Sequence, residues 1–384
     1  MKIYLIAGEP SGDLLGSRLM RAIISKAPET EFFGIGGETM EREGLKSLFN
    51  IQELAVMGLL EVVPSIPRIL KRIKQTVADI ERVRPDVVVT IDSWSFSARI
   101  HQALRKKNLN IPQVHYVAPQ VWAWKKKRAR TMYKYIDLLL TLFPYEPKYF
   151  TPYHLKAEFV GHPVIESSVI YGNKTDFRER FNIAPDKKIL ALLPGSRKNE
   201  VVRLLPVFLS AAEEFYHQNP NYIFVIPTVQ TVQEKVQNII KNSNLPIIVT
   251  TTETDRHDAL KASEAAIAAS GTVALELAMI DVPHIVAYRV APVTAFLVRH
   301  LIKIEFVNLS NILLGRCVVP ELLQENCTKE EILYYINRFL KKDDLYEKQM
   351  QGFEKVRQIL GVNEQTPSAN AADVIFNLIA KKQK

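Results

Sequence analysis

Short, almost unbroken apolar runs recur along this chain, each closed by small, polar or proline residues and followed by a helix-like pattern. KIYLIAG (2–8), EFFGIGG (31–37), DVVVTID (86–92), QVHYVAP (113–119), LLLTLF (138–143) and AEFVGHP (157–163) form a first series. KILALLP (188–194), YIFVIPT (222–228), PIIVTT (246–251), AAIAAS (265–270) and PHIVAYR (283–289) form a second. Strands without polar alternation are covered on both faces, the condition of a parallel sheet held between helical layers. Helical spacing over 14–27 and 66–82 supplies such layers. The spacing predicts an α/β protein of two doubly wound domains joined near residues 163–175, and 384 residues suffice for both. Ligands of such sheets sit beyond the carboxyl ends of the strands, so the useful residues are expected just after each run.

Composition narrows the setting. Hydrophobic residues at 47% and charged residues at 24% are those of a globular protein. A formal charge of +9 points to an anionic partner: nucleic acid, an anionic membrane surface and a phosphorylated substrate all fit. Two cysteines, Cys317 and Cys327, make neither a disulfide framework nor a zinc site, which suits a reducing compartment. The opening MKIYLIAGE is too short for a signal-peptide core, and no uninterrupted apolar stretch reaches the length of a membrane span. A cytoplasmic protein is expected.

Two strand ends in the second series carry chemistry. Ser270-Gly271-Thr272 closes AAIAAS, and two readings fit it. Ser270 or Thr272 caps the next helix, or small residues let an anion approach the helix's first N–H groups. Glu276, one turn further among Ala274, Leu275, Leu277 and Ala278, favours the second, because it stands where a ribose diol meets a carboxylate. LALLPGSRKNE repeats the arrangement with Ser196, Arg197 and Glu200, and an arginine there suits a diphosphate. Neither turn is a P-loop, and no GxGxxG fingerprint is present, which argues against an ATPase and a dehydrogenase.

Taken together, AGEPSGD (7–13), GIGG (34–37), HYVAPQVWAWKKKR (115–128), FVGHPV (159–164), LLPGSR (192–197), ASGTVALELA (269–278) and VNLSNILLGRCVVPELLQ (307–324) resemble the lipid-A-disaccharide synthase family. The resemblance implies a GT-B fold, two Rossmann-like domains with a cleft between them. The acceptor domain is then 1–165 and the UDP-sugar domain 166–367, with a last helix, 368–384, crossing back to the first. It implies an inverting transfer of 2,3-diacylglucosamine from its UDP derivative to the 6-hydroxyl of 2,3-diacylglucosamine 1-phosphate, with neither metal nor other cofactor. Asp92, ending DVVVTID, matches the family's functional aspartate and is assigned as general base, its bland alternative being an N-cap. Relatives usually carry a proline and a second acid just after it, whereas this chain reads Asp92-Ser93-Trp94-Ser95. Glu9, Ser11, Gly12 and Asp13 are assigned to the acceptor, although Asp13 at a helix start equally suits the helix dipole. Asn311, Arg316, Glu321 and Gln324 are assigned to closing the UDP site. His115, His162 and the Asp255, His257, Asp258 group read as structural.

Acyl chains require contact with lipid. LAVMGLLEVVPSIPRILKRIKQ (54–75) is apolar and ends in a basic run, so it suits an interface as well as a core helix. Trp122, Trp124, Lys125 and Arg128 combine indoles and cations and are assigned to the acceptor and an anionic surface. Peripheral association with the inner face of the cytoplasmic membrane follows. A UDP-sugar 2-epimerase shares the second-domain pocket and is the nearest rival. A nucleic-acid-binding protein gains from the +9 charge but has no recognised motif.

Overall fold

The computed structural model describes residues 1–54, 59–119, 121, 128–291, 305–361 and 365–382, with backbone alone for 59–65. It divides into two compact units, Met1–Pro163 with Asn363–Lys384, and Val164–Val362.

The first unit is built on seven parallel strands: β1 (Lys2–Ala7), β2 (Glu31–Ile35), β3 (Lys46–Ser47), β4 (Val87–Ile91), β5 (Gln113–Tyr116), β6 (Leu138–Thr141) and β7 (Lys156–Phe159). They lie in the order β3-β2-β1-β4-β5-β6-β7. Alternate residues of each central strand feed opposite layers. Ile3 and Leu5 pack with Leu15, Leu19 and Ile23 of α1 (Pro10–Lys26), with Met40 of α2 (Glu38–Arg42) and with Ala371 and Ile375 of the helix Pro367–Lys382. Tyr4 and Ile6 pack with Ile73, Val77 and Ile80 of α3 (Leu59–Val83) and Ile100 of α4 (Trp94–Lys106). Both faces are buried, which is why these strands show no polar alternation. Asn370 Nδ2 donates to the Val160 carbonyl at 3.1 Å, tying the C-terminal helix to this unit. Gly34 has φ +132°, and a β-carbon there would stand 1.8 Å from the Leu5 carbonyl oxygen. The first glycine of GIGG is thus demanded by strand pairing.

The second unit has six parallel strands: β8 (Lys188–Leu193), β9 (Tyr222–Pro227), β10 (Ile247–Thr250), β11 (Ala265–Ala268), β12 (His284–Tyr288) and β13 (Glu321–Leu323). Their order is β10-β9-β8-β11-β12-β13. Leu190, Leu192 and Ile267 face Leu204 and Phe208, which belong to the helix Lys198–Gln218. Ile189, Ala191 and Ala268 face Ala259, Leu260 and Leu277. The last three lie on the helices Glu253–Ala262 and Thr272–Met279.

The eleven apolar runs all became strands. β3 and β13, two and three residues long, were not expected from the sequence. α1 begins at Pro10, so Ser11, Gly12 and Asp13 occupy its first turn rather than the loop before it. A proline at the first helical position fits, since its missing N–H would have no partner there.

One acid in the first unit is buried as well as bonded. Glu146 is 4% exposed, and Oε2 accepts the backbone N–H groups of Leu142 and Phe143 at 2.9 and 3.0 Å. Burial outweighs those two donors and pushes its pKa up to about 7. A carboxyl whose pKa is higher in the folded state stabilises the fold fully below its unfolded value of about 4.5, and that contribution is lost as pH rises through about 7. Glu146→Gln keeps an oxygen for both N–H groups and removes the charge. Urea melts at pH 5 and pH 8 are expected to show a smaller loss of stability with pH in the variant, by on the order of 3 kcal/mol. An unchanged loss would contradict the assignment.

Candidate functional site

Each sheet reverses direction at one place. In the first unit β1 lies beside β4, with Ala7 opposite Ile91. In the second β8 lies beside β11, with Leu193 opposite Ala268. Chains leaving such neighbours depart toward opposite faces and leave a crevice at the strands' carboxyl ends.

At the first reversal the loops after β1 and β4 touch. Asp92 and Ser93 are both left-handed, with φ of +54° and +46°. Such backbone costs non-glycine residues of order 1–3 kcal/mol each, less for an aspartate, and persists only when held. The Asp92 N–H donates to the Tyr116 carbonyl at 2.9 Å, and Ser97 Oγ donates to the Asp92 carbonyl at 3.0 Å. Ser93 then bridges two carboxylates. Its N–H donates to Asp92 Oδ1 at 2.7 Å and its hydroxyl to Glu9 Oε1 at 3.3 Å. A β-carbon on Gly8 would lie 2.4 Å from Ser93 Oγ, so the loops meet only across a glycine. Asp92 does not cap α4: the N-cap is Ser93, with no side-chain cap bond. Glu9 and Ser11 are exposed beside it.

Asp13 is engaged by backbone donors. It is 6% exposed, and its carboxylate accepts the N–H groups of Gly37, Thr39 and Met40 and the Thr39 hydroxyl, at 2.7–3.1 Å. It stabilises the start of the neighbouring helix Glu38–Arg42, and Gly12 is buried against the Ile91 carbonyl. Beneath Asp92, Thr90 Oγ1 joins His101 Nε2 and His115 Nδ1 at 2.8 and 2.7 Å. Burial holds both imidazoles well below their ordinary pKa, as expected of structural histidines. Arg128 is half-buried, while Trp122, Trp124 and Lys125 lie outside the described residues.

At the second reversal, Ser196 and Arg197 are exposed ahead of the helix Lys198–Gln218. Glu200 is 9% exposed. It accepts from Arg197 Nη1 at 2.9 Å, the Arg197 N–H at 3.3 Å and the Tyr288 hydroxyl at 3.0 Å, so it orients Arg197. Across from it, the N-cap of the helix Thr272–Met279 is Gly271, with no side-chain cap bond. Neither Ser270 nor Thr272 therefore caps, and Gly271 and Thr272 are exposed. Glu276, one turn inside, is engaged by Arg256 and Ser167, neither of which lies in a recognisable motif.

In the C-terminal motif the polar side chains bind one another and the backbone. Asn311 is fully buried. Its Nδ2 donates to the Val319 carbonyl and Glu321 Oε1, both at 2.8 Å, and its Oδ1 accepts from Val318 and Val319 N–H at 2.8 and 2.9 Å. Glu321 also accepts the N–H groups of Val307 and Asn308 at 2.9 Å. All four hydrogen-bonding positions of the amide are used, so both residues brace the turn into β13. Gln324 is left-handed and accepts from Val290 N–H at 3.4 Å, and Arg316 is exposed. Asp258 accepts from Asn173 N–H at 2.7 Å, and both Asp255 and Asp258 pair with Arg180. Among the described residues no group of three His, Cys, Asp or Glu is placed to hold a metal.

Comparison with known proteins agrees with this architecture. Solved structures of similar fold include UDP-GlcNAc 2-epimerase from Neisseria meningitidis bound to UDP-GlcNAc. It has a TM-score of 0.66 and 14% identity, over 99% of this chain and 100% of that one. MurG from Acinetobacter baumannii has a TM-score of 0.57 and 15% identity over 99% of each chain. At such identity these establish the fold alone, the GT-B arrangement of two Rossmann-like domains. Sequence relatives are nearer. The lipid-A-disaccharide synthase of Paramagnetospirillum magneticum is 46% identical over 99% of this chain and 98% of its own length. That of Pseudomonas paraeruginosa is 36% identical over 100% and 99%. The family model for lipid-A-disaccharide synthetase matches residues 3–375, and the chain belongs to that family of glycosyltransferases of lipid A synthesis.

Proposed function

We propose that this protein transfers 2,3-diacylglucosamine from its UDP derivative to the 6-hydroxyl of 2,3-diacylglucosamine 1-phosphate, with inversion, giving a β-1,6-linked disaccharide 1-phosphate and UDP. The observation that carries the reading is the chemistry at the two reversal points. The first holds a carboxylate in a constrained turn, and the second offers an arginine paired with Glu200 after β8 and, after the adjacent β11, a helix start with no side-chain cap.

In this reading Asp92 takes the proton of the acceptor hydroxyl as its oxygen attacks the anomeric carbon. The bond from that carbon to the diphosphate oxygen breaks, and its electron pair leaves with UDP. Arg197, Ser196 and the first N–H groups after Ser270-Gly271-Thr272 offset the growing charge on the diphosphate. Glu276 receives the ribose, and Glu9 and Ser11 meet the acceptor sugar. These protein groups make the displacement independent of a metal. Acceptor-dependent UDP release in detergent and EDTA is the test. Asp92→Asn, which keeps an oxygen for the Ser93 N–H, is expected to lower kcat by roughly 10²–10⁴-fold. Full turnover in the variant would move the base elsewhere, and UDP release from the donor alone at the same rate would favour an epimerase-like reaction.

The lipid substrates also suggest peripheral membrane contact. No described helix is long and apolar enough to cross a membrane. On α3, however, Ile66 and Leu70 are 45% and 47% exposed, four residues apart and therefore on one face. Arg68, Lys71 and Lys74 are exposed around them, whereas Arg72 is paired with Glu53 and Ile73 is buried. Apolar side chains among cations suit an anionic bilayer surface. The double variant Ile66→Asp, Leu70→Asp is expected to lose most of its cosedimentation with vesicles containing anionic lipid while still binding UDP. Undiminished cosedimentation would remove α3 from the contact.

A further inference from the structure

The carboxylate of Glu276 is held by the protein itself. Arg256, at the end of the first turn of the helix Glu253–Ala262, grips it with both prongs: Nη1 to Oε2 at 2.7 Å and Nη2 to Oε1 at 2.9 Å. Ser167 Oγ donates to Oε1 at 3.2 Å. The two charged side chains are 27% and 13% exposed, so the pair is largely withdrawn from water.

Two features set this pair apart from the surface ion pairs of the protein. A cation in the first turn of a helix opposes the helix dipole, so its position is not explained by local helix stability. The guanidinium is also braced from behind. Nη2 lies 3.0 Å from His257 Nε2. Arginine can only donate, so Nε2 is the acceptor and the ring proton sits on Nδ1, where Ser168 Oγ lies 3.2 Å away. Burial first, and the Arg256 charge second, lower the His257 pKa, consistent with a neutral ring in that role. The carboxylate's acceptor positions are unequally used. Among the described residues Oε1 takes two donors and Oε2 one, Arg256 Nη1, which leaves Oε2 the less used acceptor.

We infer that Arg256, helped by Ser167, is a positioning residue for nucleotide recognition, fixing the Glu276 carboxylate so that Oε2, the less used acceptor, is presented to a ribose hydroxyl. The inference rests on the reading of Glu276 as the ribose ligand. A flexible glutamate would have to lose its rotamer freedom on binding, whereas one locked beforehand has that cost met by the fold. The planar fork is essential, because a lysine at 256 supplies one point charge and leaves the carboxylate free to turn.

The test compares calorimetric binding of UDP with that of 2′,3′-dideoxy-UDP, which differs only in the ribose hydroxyls. The wild type is expected to prefer UDP by roughly ten- to hundredfold, as for a hydrogen bond to a charged group. Glu276→Gln and Arg256→Met should both lose most of that preference, Arg256→Lys part of it, and Ser167→Ala a smaller part. A merely structural role would weaken both ligands equally and leave the ratio unchanged. Preference retained in Glu276→Gln, or absent from the wild type, would end the ribose reading itself. Preference lost in Glu276→Gln but intact in the Arg256 variants and Ser167→Ala would overturn the positioning role alone. Should Arg256→Met fail to fold by circular dichroism, Arg256→Lys and Ser167→Ala decide in the same way.

Discussion

Everything functional in this protein depends on a topological constraint: two parallel sheets, each reversing its strand order once. Right-handed crossovers send the helices after β1 and β4 to opposite faces, and those after β8 and β11 likewise. The loops between them are not needed to cover the core, so they are free to carry chemistry. Burial of both sheet faces provides the rigidity, and the energetic cost falls on the loops. Two successive left-handed residues at Asp92 and Ser93 are tolerable only on strands that are themselves fixed on both sides.

A second layer of organisation is polar. Several acids and amides near the loops do not face outward. Asp13 gathers three backbone N–H groups, Glu200 steadies Arg197, and Asn311 with Glu321 secures the entry to β13. Each removes orphan hydrogen-bonding groups that would otherwise be costly in a buried turn. The exposed residues beside them, among them Glu9, Ser11, Ser196, Arg197 and Thr272, are the ones left to meet substrates in the proposed reaction. Contact and support thus belong to different residues of the same short motifs.

This division explains what was legible in the sequence. Apolar runs revealed the central strands because parallel strands are covered on both faces, and the strand ends located the loops. The edge strands β3 and β13 carry too few residues to show any pattern. Pro10-Ser11-Gly12 has the composition of a turn, yet it opens a helix. The motif residues were found as a group, but their roles were not separable: a buried Asn311 satisfying the backbone and an asparagine gripping a ligand look identical in sequence. Arg256 gave no signal because its partner is twenty residues away and the two meet only across adjacent helices.

In the proposed reaction the acceptor hydroxyl displaces UDP directly, with its proton passing to Asp92. The configuration of the new linkage tests this most directly, since a single displacement on an α-linked UDP-sugar must invert the anomeric carbon. Proton NMR of the disaccharide product is predicted to show a β-configured anomeric proton, with the correlation across the linkage running to carbon 6 of the acceptor. An α linkage would require two displacements or a dissociated intermediate and would exclude direct displacement.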